Sequence, residues 1–239
     1  MKQSARIGII LLCILASGLT ALYEAQTTRR RNQRTENSVP RMVTTTNAFL
    51  SSLTPEQLEL ATFEFNDKER LNWHFIPRER LGLPIKQMEP FQRELSLAML
   101  ISGLSQTGFI KVTTIMSLEQ VLFELENGRR MRDEELYFFS VFGNPSEKDP
   151  WGWRFEGHHL SLNFTIENGK ISATTPAFLG ANPAEVKTGR LKGLRPLGQE
   201  EDIARQLYNA LDENQKITAT IADEAPRDIV MNPDRNERL

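Results

Sequence analysis

The chain has 239 residues, of which 39% are hydrophobic and 25% charged, with a formal net charge of -2. Length and composition exclude wholesale disorder and leave room for one domain of ordinary size beside a leader segment. Through Arg41 there are seven Lys and Arg against two Glu, so the remainder holds 22 basic and 29 acidic residues, and that acidity argues against nucleic acid as the main partner.

Residues 1–22 read as an export signal: Lys2 and Arg6 precede the apolar run Ile7 to Leu15, and the small residues Ala16, Ser17 and Gly18 follow. An uncleaved anchor is the rival, but Ile7 to Leu22 is short of the roughly 20 apolar residues that a span needs. The expected location is therefore periplasmic or secreted, with a membrane tether if the segment stays. Cys13 is the sole cysteine and lies inside the apolar run, so the mature protein needs no disulfide.

Residues 23–43 read as a polar basic linker, 44–225 as a single domain and 226–239 as a frayed tail. The first helix is announced by Thr54 as N-cap, Pro55 at N1 and Gln57 at N3, with Leu53 and Leu58 as a hydrophobic staple. A second helix is predicted from Pro90 to about Gln106, apolar enough to be the buried central one. A third begins at the capping box of Ser117 and Gln120 and stops at Gly128.

Beyond Gly128 the pattern changes. Tyr137 to Phe142 is aromatic and β-branched and reads as a strand. From Trp151 the alternation predicts a three-stranded meander to about Thr175, turning first at Glu156-Gly157 and then at Asn168-Gly169. That register sets Trp153 against Leu160, Arg154 against His159 and Phe164 against Ala173. One face, from Trp151 and Trp153 through Phe155, Leu160, Leu162, Phe164 and Ile166, is apolar and covers the helices; the other carries Arg154, His159, Ser161, Asn163 and Thr165. A helix from about Glu200 to Leu211 and a short strand through Ile217, Ala219 and Ile221 complete an α+β domain, helices in the N-terminal half packed on an antiparallel meander.

Two of the three His and two of the three Trp fall in Trp151 to His159, so any chemistry is expected there. His159, on the polar face, is the candidate acid-base group or metal ligand, with Arg154 beside it. The segment Asn72 to Arg80 adds His74, and Arg78 and Arg80 suit an anion. A three-His site of His74, His158 and His159 would hold a divalent metal if the fold joins them, although adjacent residues on a strand face opposite ways. Trp73, Trp153 and Asn182, in the turn-rich loop Pro176 to Pro183, are candidate pocket walls. HExxH, GxSxG, Walker and dinucleotide glycine motifs are absent.

From Phe65 to about Ile221 the order of motifs resembles an uncharacterised family of exported, mainly bacterial proteins, domain of unknown function 3500. Asn72-Trp73-His74-Phe75-Ile76-Pro77, Gln92-Arg93, Phe142-Gly143-Asn144-Pro145, Trp151 to Leu160 and Phe178 to Pro183 carry the resemblance. It implies a further C-terminal portion with a histidine-rich segment and a Trp-Arg pair, which is not found through Leu239, and hence a chain that is incomplete, divergent or dependent on a protein partner that completes the domain. The expected function is a metal-dependent or hydrolytic enzyme acting on an extracytoplasmic substrate. The alternative is a non-catalytic envelope module that holds a small molecule or an envelope polymer, or a partner subunit.

Overall fold

The computed structural model describes residues 38–225, so the expected signal segment and the tail from 226 lie outside the described residues. Among the described residues, six α-helices and a mixed, mostly antiparallel sheet of seven strands form the α+β domain. Helix α1 (Ser38–Ser51) occupies part of the stretch expected to be linker. Its Val39, Met42, Thr46 and Phe49 are spaced by three and four and all buried, so Val39 and Met42 join the core from within the stretch expected to be linker.

Helix α2 (Pro55–Ala61) starts with the capping box that Thr54 and Gln57 announce. The two-residue strands β1 (Thr62–Phe63) and β2 (Leu83–Pro84) follow. Helix α3 (Pro90–Gly103) packs on α1. It is not buried all round, because Phe91 and Ile101 are exposed. Gln92, also buried, joins the helices: its amide donates to Ser52 O (2.8 Å) and Gln57 Oε1 (2.8 Å), and its oxygen accepts from Glu89 N (2.8 Å).

The expected start at Ser117 is overturned. Helix α4 runs unbroken from Gln106 to Leu125 with Ser105 as its N-cap, and the Ser117 hydroxyl donates to Thr114 O (2.8 Å) inside it. The helix ends where Asn127 and Gly128 both take positive φ (56° and 84°).

Strands β3 (Phe138–Phe142), β4 (Trp151–Gly157), β5 (Leu160–Glu167) and β6 (Lys170–Ala173) form an antiparallel run; β1 pairs parallel and β2 antiparallel with β3, and β7 (Ala177–Leu179) lies on β5. The first hairpin turns at His158-His159, not at Glu156-Gly157, so Gly157 pairs with Leu160, Trp153 with Phe164 and Arg154 with Asn163. The displacement is an even number of residues, which leaves the side chains of 151–155 and 160–166 on their expected faces, while His158, expected to face the core, and His159 fall in the turn itself. At the second hairpin Asn168 and Gly169 have φ 52° and 68°, as predicted, but an irregularity after Thr165 sets Ala173 opposite Thr165 instead of Phe164.

The apolar face of β3, β4 and β5 meets α1 and α3 in one core, with Trp153 stacked on Phe164 at 4.2 Å. Gly103 makes the close approach there, since a Cβ on it would lie 2.6 Å from Trp153 Cζ2. Helix α5 (Gly198–Ala210) forms where a helix is expected, but only Gly198 is buried in it. The expected strand through Ile221 is instead helix α6 (Glu213–Ala219), because Asp212 and Gln215 form a capping box that starts a helix.

Candidate functional site

The polar face of the sheet is neither solvated nor an open floor, because residues 68–80 lie across it. Arg154 is fully buried; it donates to Glu69 O (2.7 Å), pairs with the Glu69 carboxylate, and its Nε sits 3.5 Å from Glu156 Oε1. Arg80 reaches the same Glu156 oxygen at 3.5 Å and donates to the carbonyls of His74 (2.9 Å), Ile76 (2.6 Å), Arg78 (3.0 Å) and Gly157 (3.1 Å). Two guanidinium groups and two carboxylates thus neutralise one another under the covering segment. Burial raises the Glu156 carboxyl above its usual range against the pull of Arg154 and Arg80. Arg154 is therefore a fastener of residues 68–80 and not an accessible catalytic group.

A cavity of about 250 Å³ opens beside this cluster, lined by Pro77, Arg78, Glu79 and Arg80, by Glu119 of α4, by Met131, Asp133, Leu136 and Phe138, and by His158. Apolar walls with a few converging polar groups are the usual make-up of a ligand site. Glu119 is buried and hydrogen-bonded to His158 Nδ1. Arg132 NH1 lies 3.2 Å from Nδ1 and 3.4 Å from Nε2, while its other nitrogens hold Glu126 at 2.8 and 3.1 Å. A carboxylate accepts, so the Glu119 contact favours the tautomer with Nδ1–H facing Glu119 and the lone pair on Nε2.

The turn that carries His158 is held on three sides. Tyr137 donates its hydroxyl to His158 O (2.9 Å), His159 N donates to Phe75 O (2.7 Å), and Gly180 N donates to His159 O (2.8 Å). His159 has φ 57°, in the left-handed region, and its ring packs 4.1 Å from that of His158. Burial, then the neighbouring His158 and Arg132, push the His159 imidazole down to about 4, so it is neutral at pH 7.

Of the residues expected at a site, the structure brings His158 and Arg78 to the cavity and places His159 behind His158. His74 lies across the sheet, where its N–H donates to Glu156 (3.1 Å) and its Nδ1 accepts from Phe75 N (2.9 Å) and Ile76 N (3.2 Å). The three histidines are not assembled: among the described residues no three His, Cys, Asp or Glu side chains are grouped to hold a metal ion. Trp153 is a core residue rather than a pocket wall, Trp73 packs half-buried against Phe75 and Phe178, and Asn182 is exposed away from the cavity. Glu119 was not foreseen. Its signal is a carboxylate within the buried stripe of Val112, Ile115, Leu118 and Leu122.

A family model described as a protein of unknown function, DUF3500, matches residues 35–239. The chain belongs to that family. No curated protein and no solved structure matches it. In this DUF3500 chain the matched span includes all the cavity-lining residues, from Pro77 to His158.

Proposed function

We propose that the protein is an exported hydrolase in which His158, oriented by Glu119, is the general base of a reaction on a small extracytoplasmic substrate bound in the cavity. The observation that carries the reading is the buried Glu119–His158 pair on the cavity wall, where a carboxylate fixes the imidazole tautomer. Export draws its support from Lys2, Arg6 and the apolar run to Leu15. Arg80 is committed to carbonyls and Glu156, so its role is to hold the wall and not to bind substrate.

A panel of chromogenic carboxylic esters, phosphate esters and amides tests the reading. The expected result is turnover of one class, lowered roughly 10²–10⁴-fold by His158→Ala and Glu119→Gln with unchanged melting behaviour. Equal rates in wild type and both variants, or no turnover of any class, would overturn it. A non-catalytic binding module would give saturable binding in the same cavity without turnover. The partner-subunit reading draws on α5, whose Ile203 and Leu207 are each 64% exposed.

A further inference from the structure

The charged groups around the cavity differ in how far the protein already uses them. Arg80 donates to four carbonyls and lies 3.5 Å from Glu156, Asp133 accepts from Lys86 Nζ (2.5 Å) and from Glu135 N (2.9 Å), and Arg132 grips Glu126. Arg78 NH2 donates to Asn72 Oδ1 (2.7 Å). Two carboxylates remain less engaged. Glu79, exposed at the rim, has no ion pair among the described residues. Glu119 spends Oε1 on His158, while its buried Oε2 has no hydrogen-bond partner within the protein.

A buried carboxylate oxygen without a donor is costly, and a ligand that supplies a charged donor recovers that cost. The remaining walls, Pro77, Met131, Leu136 and Phe138, are apolar. We propose that the cavity selects a small organic amine, its ammonium directed to the Glu119 Oε2 and Glu79 end and its hydrocarbon body against Met131, Leu136 and Phe138. This deepens the reading of the cavity as the functional site, and it stands whether or not His158 acts as a base.

Isothermal titration calorimetry of the whole chain at neutral pH with phenethylamine, phenethyl alcohol and hydrocinnamate separates the ligand classes on one apolar body, without any variant. The expected order is phenethylamine tightest, roughly tenfold or more over the alcohol, with hydrocinnamate unbound. Glu119→Gln should abolish the preference for the amine, and Glu79→Gln should weaken it by about half an order of magnitude, in line with an exposed charge. Hydrocinnamate binding as well as the amine, equal binding of all three, or an amine preference that survives Glu119→Gln would each overturn the proposal. If amines bind in this pattern and the chromogenic panel gives no turnover, the catalytic reading alone fails.

Discussion

His159, half-buried, and Arg154, fully buried, are polar residues beside the cavity, but they respond to different perturbations. The depressed His159 value means that its contribution to stability is present above the ordinary imidazole value of about 6.5 and is lost as pH falls toward about 4. Glu156 works the other way, because a raised carboxyl loses stability as pH rises through the folded value. Comparison with His159→Asn isolates the first effect, since Asn tolerates positive φ and does not titrate. Wild type should lose about 1–2 kcal/mol relative to that variant between pH 7 and pH 4 in urea melts, allowing for solvent screening; parallel pH profiles would contradict this. Arg154→Met leaves Glu69 and Glu156 buried with only Arg80 near, and should cost about 3–5 kcal/mol by the same measurement. Alternation put Arg154 on the correct face, but what covers that face is the irregular segment 68–80, which has no periodicity to read. Glu119 was legible in principle, as an acid on an apolar helical stripe.

At the scale of elements, the fit of α3 onto the sheet turns on Gly103. In an isolated helix Gly→Ala gains about 1 kcal/mol. Here the added methyl would meet Trp153 at 2.6 Å and Phe164 at 2.9 Å, and those rings are stacked within the core. Overpacking should win, so Gly103→Ala is expected to destabilise by a net ~1–2 kcal/mol in thermal or urea unfolding, whereas a gain in stability would show that α3 can shift. The hairpins show what a pattern can and cannot give. Parity of the alternation fixed the faces of β4 and β5, but the glycine at 157 drew the turn to the wrong pair. The actual turn relies on backbone bonds from Phe75 and Gly180, partners distant in sequence. Likewise Ile217, Ala219 and Ile221 alternate as a strand would, yet Asp212 and Gln215 cap a helix, and the cap was the better guide.

Across the whole molecule, cohesion is uneven. The helices-then-strands order was enough to read an α+β class, while β1, β2 and β7, of two or three residues each, are too short to leave a pattern. Helix α5 is held by Gly198 and by the ion pair of Lys111 with Glu200, and its Ile203, Leu207 and Tyr208 are exposed. Native-state hydrogen exchange should therefore find the amides of α5 and α6 opening at far lower cost than those of β4 and β5, and equal protection would contradict that ranking. The same unevenness separates the three tryptophans. Trp151 and Trp153 are sealed in the core, and Trp73 lies half-buried on the segment that continues into the cavity wall at Pro77. The protein thus carries its own optical probe: a collisional quencher that dims only the accessible indole reads the covering segment that leads to the cavity, against a silent background from the core.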